Sequence, residues 1–122
     1  MVAAVGFKPH AGDAVRIALS NTWCSVCALS GGAVIGLGRI VGDGALHFYI
    51  TNVMVTPAHQ RHGVGSSIVN ALLSKVKELP YPNVLVEALP LPGLDHFYER
   101  FGFVASREYA SGMHMWLNGN DG

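Results

Sequence analysis

The sequence predicts an α/β fold, α+β by convention, built on a mixed, mostly antiparallel sheet with a central parallel pair and helices across its faces. Three observations predict it. Three apolar, strand-like stretches between residues 23 and 55 are joined by glycine-rich turns. An amphipathic helical pattern follows from residue 63, and an apolar strand after that helix must return beside the third strand. The chain of 122 residues fits a single domain over residues 1–122, long enough to bury about two-thirds of its unfolded surface.

The elements follow in order. From Asp13 the spacing of Val15, Ala18, Leu19 and Thr22 predicts a short helix, with Asp13 as its N-cap and an end near Asn21. WCSVCALS, a Ser30-Gly31-Gly32 turn, AVIGLGRIV, a Gly42-Asp43-Gly44 turn and LHFYITNVMV then read as an antiparallel meander of three strands. From Gly63, Val64, Ile68, Ala71, Leu72, Val76 and Leu79 recur at helical spacing opposite Ser67, Asn70, Ser74, Lys77 and Glu78. Pro80 and Pro82 stop this main helix. NVLVEAL follows, in a crossover that should be right-handed and therefore parallel to the third strand. After Pro90-Leu91-Pro92-Gly93, LDHFYERF predicts roughly two helical turns ended by Gly102, and FVASREYA with GMHMWLN predicts a closing hairpin.

Composition excludes several classes. Half the residues are apolar and 13% are charged, and no apolar run approaches the roughly 18 residues of a membrane span. MVAAVGFKPHAG lacks the basic start and long apolar core of a secretory signal, so the expected location is cytoplasmic, with no membrane partner. Eight basic and eight acidic residues balance, and the cations are scattered, which leaves no footprint for nucleic acid. Cys24 and Cys27 form a C-x-x-C that invites a redox or metal reading. On a strand, however, side chains three apart point to opposite faces, so two ordinary buried thiols are expected, and no metal site.

Chemistry concentrates in two places. In VMVTPAHQRHGVGSS an apolar strand runs through Pro57 into Gly63 and Gly65 at a helix start. Unpaired N–H groups and the positive end of the helix dipole suit an anion there. A phosphate loop of the G-x-x-x-x-G-K-[ST] type fails for want of lysine, and a dinucleotide fingerprint fails because Ile68 stands at its third glycine. The alternative is a tight strand-to-helix turn with no ligand. The second place is Phe97-Tyr98-Glu99-Arg100-Phe101-Gly102-Phe103.

Together these stretches resemble the GNAT superfamily of acyl-CoA-dependent N-acetyltransferases. In that family a V-x-V strand end, a proline and Q/R-x-x-G-x-G/A form the acetyl-CoA site, here Val53-Met54-Val55, Pro57 and Gln60-Arg61-His62-Gly63-Val64-Gly65. F-Y-E-x-x-G-F is its second signature. The likeness extends over nearly the whole chain from about Gly12, and SGMHMW is similar to the tail of some small members. The resemblance implies a GNAT-like sheet whose central parallel pair splays apart. Pyrophosphate would rest on the N–H groups between Arg61 and Ser66, with the Ser66 hydroxyl, and the pantetheine arm would pair with the backbone of Val53 and Val55. It also implies acetyl transfer from acetyl-CoA, as cosubstrate, to a small-molecule primary amine by direct attack in a ternary complex.

By the same resemblance Tyr98 is the general acid for the departing thiolate. The carboxylate that many members carry before V-x-V is missing, because the stretch reads Tyr49-Ile50-Thr51-Asn52. Glu87, the one charge in NVLVEAL, is then the candidate base, its carboxylate expected to be buried. The other reading is a Glu facing solvent or paired with an arginine. His47, Asn52 and His114 are substrate-side candidates, and His59 and His62 are expected to be exposed on the loop. The missing carboxylate also motivates an alternative function, a catalytically inactive CoA-binding or regulatory module. GNAT members commonly have a strand and a helix before the position of Asp13, where this chain has about a dozen residues. The expectations are an acceptor side open to a bulky substrate, a homodimer partner covering it, or VAAVGF docking as a strand.

Overall fold

The structure, a computed structural model, describes residues 11–91, 93–105 and 113–117. Its elements are α1 (Gly12–Ser20), β1 (Cys24–Ser30), β2 (Ala33–Gly42), β3 (His47–Val55), α2 (Val64–Lys77), β4 (Val84–Ala88), α3 (Asp95–Glu99), β5 (Val104–Ala105) and β6 (Met113–Leu117), with a single 3-10 turn at Pro57–His59 before α2. The strands form one six-stranded sheet in the order β1-β2-β3-β4-β6-β5. Every pair is antiparallel except β3 and β4, which the α2 crossover makes parallel. The expected α/β architecture and meander are therefore present.

One face of the sheet is the core. Phe48 and Ile50 of β3, Val84, Val86 and Ala88 of β4, and Met113 and Met115 of β6 point inward and are buried together with Ile68, Val69, Leu72, Leu73 and Val76 of α2. Each of these side chains except Ala88 stabilises the fold by about 1.5–3 kcal/mol through burial. The helix lies very close to β2, since a Cβ on Gly38 would come within 2.7 Å of the Ile68 side chain. Alternation sends His47, Tyr49, Leu85, Glu87, His114 and Trp116 to the outward face.

Several local expectations are corrected. α1 starts at Gly12 with Ala11 as its N-cap; Asp13 lies one residue inside the helix, where its Oδ1 accepts from the Ala14 N–H. None of the residues of α1 is buried, so its apolar stripe is not a core face. α3 spans five residues rather than two turns, because the chain passes into turn geometry and Gly102, at φ +100°, ends it. Cys24 is half-buried and Cys27 exposed, on opposite faces of β1, so the expectation of two buried thiols holds only in part. Burial pushes the Cys24 thiol up. The turn of the closing hairpin and the VAAVGF segment lie outside the described residues. Among the described residues no helix is long and apolar enough to cross a membrane, and no group of three potential metal ligands occurs.

Candidate functional site

β3 and β4 pair only from His47↔Leu85 to Ile50↔Ala88, although β3 runs on to Val55. Where they part, β3 bulges: Leu37↔Met54 and Arg39↔Thr51 are in register, which leaves Asn52 and Val53 opposite Gly38. Asn52 takes φ +56°, the left-handed region that asparagine tolerates better than most residues. Its Oδ1 accepts from Arg39 Nε at 2.8 Å, and Arg39 Nη1 donates to Thr22 Oγ1 at 2.9 Å, which ties the bulge to the end of α1. The expected substrate-side Asn52 is thus engaged in shaping the strand.

Beyond the parting lies a cavity of about 640 Å³. Val53, Met54, Val55, Gln60, Arg61, Gly63, Gly65, Ser66 and Tyr98 line it, so most of the residues predicted from the two motifs meet here. His62 is exposed and Val64 packs against the core; neither lines the cavity. Leu91, Leu94, Phe97, Arg100 and His59 complete the wall. The sequence places Leu91 in a loop and Leu94 at the start of a helix, with no site role for either; two leucines beside the prolines of a turn are the available signal. His59, expected to be exposed, is half-buried, with Nδ1 3.0 Å from Thr56 Oγ1.

The two glycines have different reasons. Gly63 is the N-cap of α2 at φ +82°, and no side chain caps the helix, so the N–H groups of its first turn face the cavity end without an intrahelical partner. Arg61 also sits in the left-handed region, at φ +67°. Gly65 has an ordinary backbone but stands under the Phe97 ring, and a Cβ there would already be 3.5 Å from Cζ. A cradle of bare N–H groups with an arginine beside it fits a pyrophosphate. Of the two expected strand contacts, the Val55 carbonyl already accepts from Gln60 Nε2 at 2.9 Å. Arg100 lies over Phe97, 5.3 Å from the ring centre, on the opposite wall.

Tyr98 is only 8% exposed and is held by edge-to-face contacts with Phe97 and Phe103. Burial, and secondarily the nearby Tyr49, push its phenol up to about 12. It therefore carries its proton at neutral pH. Glu87 departs from expectation. Its side chain is 44% exposed, on the outward face, and Oε1 contacts His47 Nε2, whose side chain is 54% exposed. Glu87 is also the cross-strand partner of His114 and Tyr49. Three predicted residues, His47, Glu87 and His114, thus gather on one patch that does not line the cavity.

The model of the Acetyltransferase (GNAT) family matches residues 6–103. Among solved structures, a protein of unknown function from meticillin-resistant Staphylococcus aureus, described as a probable acetyltransferase, superposes with a TM-score of 0.82. It is 26% identical, over 93% of this chain and 85% of its own. A GNAT-family acetyltransferase from Streptococcus pneumoniae is 32% identical over 82% of this chain and 74% of its own, with a TM-score of 0.66. A GNAT-family acetyltransferase from Brucella melitensis, solved in complex with acetyl-CoA, shares the fold with a TM-score of 0.66. Its identity is 23%, over 90% of this chain and 68% of its own. No curated protein matches the chain.

Proposed function

The chain belongs to the GNAT acetyltransferase family, and from that premise we propose that it moves an acetyl group from acetyl-CoA to a small-molecule primary amine by direct attack in a ternary complex. The observation that carries this reading is the parting of β3 and β4 after Ile50↔Ala88, which opens onto a cavity floored by the bare helix start at Gly63–Ser66. Relatives of the same fold have been solved with acetyl-CoA or CoA bound.

The N–H groups from Arg61 to Ser66 would hold the pyrophosphate, and Leu91, Leu94 and Phe97 offer an apolar wall for the pantetheine arm. Bound acetyl-CoA supplies an activated thioester. The amine nitrogen bonds to the carbonyl carbon as the carbon–sulfur bond breaks; the amine gives up one proton and the departing sulfur takes one. Tyr98 gives the sulfur its proton. Because its phenol sits near 12, above an ordinary thiol at about 8.5, it steadies the departing sulfur by a hydrogen bond, and the transfer is completed as Tyr98 is reprotonated, through solvent, by the proton that the amine gives up. Glu87, at the row of the sheet next to the parting, takes the amine proton, with His47 against its carboxylate.

Thiol release from acetyl-CoA in the presence of an amine panel is the test. One observation favours a second reading: Glu87 and His47 stand outside the cavity lining, as they would in a module that binds CoA without turnover. Acetyl-CoA binding with no amine-dependent thiol release decides for that module.

A further inference from the structure

The patch around Glu87 has more structure than a base requires. Two rows of side chains cross β3, β4 and β6 on the outward face: Tyr49, Glu87 and His114 in register, and behind them His47, Leu85 and Trp116. With strands about 4.8 Å apart and same-face residues about 6.7 Å apart along each strand, the array measures roughly 10 by 7 Å. It consists of four ring side chains and a leucine around a single carboxylate. Trp116 is 50% exposed, and the Glu87 and His47 side chains are about half exposed, so the array is reachable. The Tyr49–Glu87 row is one residue from Ile50↔Ala88, where the strands part.

Resting on the acetyl-transfer reading, we propose that this array is the acceptor subsite and that it takes a primary amine carried on a flat, apolar body, an arylalkylamine. The ammonium meets Glu87 among electron-rich ring faces, and the body lies over Leu85 and Trp116.

The charge and polarity of the array discriminate among amines. Glu87 is the only carboxylate among the described strand residues, which suits one ammonium and not the several of a polyamine. Leu85 and Trp116 offer nothing to the hydroxyls of an amino sugar beyond the indole N–H. Among the described strand residues the one lysine or arginine is Arg39, beside Thr51 on the next row, and its guanidinium is turned to Asn52 and Thr22. Asp43, in the turn before β3, lies outside the two rows, and its Oδ1 accepts from the N–H groups of Ala45, Leu46 and His47.

The experiment uses the full chain with 2-phenylethylamine, spermidine and glucosamine. Steady-state thiol release should favour 2-phenylethylamine at least tenfold in kcat/KM. Trp116→Ala should raise its KM about tenfold with kcat within threefold, and Trp116→Phe should restore most of the affinity. Calorimetric titration of 2-phenylethylamine in the presence of CoA should show the same loss in Trp116→Ala. Turnover with unchanged KM in Trp116→Ala, or equal rates across the panel, overturns the subsite and leaves acetyl transfer standing. Trp116-dependent binding without turnover of any amine upholds the subsite and overturns acetyl transfer. Neither binding nor turnover overturns both.

Discussion

Arg39 Nε donates to Asn52 Oδ1 across 2.8 Å, joining β2 to the one residue of β3 that adopts a left-handed backbone. This bond sits at the bulge, just after the last β3–β4 pair, so it helps to set where the sheet opens. Without it, Arg39 would keep its bond to Thr22, and Asn52 would hold a left-handed backbone without that side-chain bond.

Asn52 therefore combines two contributions that substitution separates. Asn52→Gly keeps the positive φ without strain but removes the hydrogen bond. Asn52→Ala removes the bond and also pays for a left-handed Cβ, about 1–2 kcal/mol. The alanine variant should unfold at lower urea than the glycine variant, by roughly 1 kcal/mol, and bind acetyl-CoA more weakly than either. Equal stability of the two variants would assign the whole effect to the Arg39 bond.

The two loop glycines should respond differently. Gly65→Val crowds the Phe97 ring and the cavity, and should weaken acetyl-CoA binding at least tenfold, about 1.4 kcal/mol, with the fold intact. Gly63→Ala meets no neighbouring atom but strains φ +82°, so it should cost about 1 kcal/mol of stability. Paired chemical denaturation and CoA titration read both effects. Normal CoA binding by Gly65→Val would make that glycine a turn residue only.

Tyr98→Phe keeps the ring contacts and loses the phenol. We expect kcat to fall roughly a hundredfold with little change in acetyl-CoA affinity. Stability supplies an independent check. The folded phenol titrates near 12 against about 10 when unfolded, so its contribution is present below pH 10 and is lost as pH rises through 12. Wild type should lose on the order of 2 kcal/mol across that window relative to Tyr98→Phe. Parallel pH dependences of the two proteins would contradict the burial of this phenol.

Glu87→Gln preserves shape and removes the charge facing His47. If Glu87 takes the amine proton, the acid limb of the kcat/KM profile should move or vanish, with a loss of roughly a hundredfold near neutral pH. An unchanged profile would mean that the amine enters neutral and sheds its proton through water or His47. That result sinks the base assignment without touching acetyl transfer.

Local signals on the chain were sufficient for the order of elements, the glycine-opened helix and the Tyr98 segment. Each depends on residues within about a dozen positions of one another: the 3.6-residue recurrence from Val64 to Val76, the turns at Gly31-Gly32 and Gly42-Asp43-Gly44, the proline stops. Tertiary structure decided what depends on register between distant strands. His47 and Glu87 are 40 positions apart and touch only because β3 and β4 pair in one particular alignment, and a slip of one residue would send Glu87 into the core. The apolar neighbours of Glu87 suggested burial, since a strand flanked by valines looks interior from its composition. Yet alternation put the valines inward and the carboxylate outward. The same dependence explains Asn52. Nothing in ITNVMV announces a bulge, which arises where β3 must pass Gly38 and meet Arg39 on the neighbouring strand. Short-range chemistry is written in consecutive residues, whereas the face a side chain occupies is settled only when the strands have found their partners.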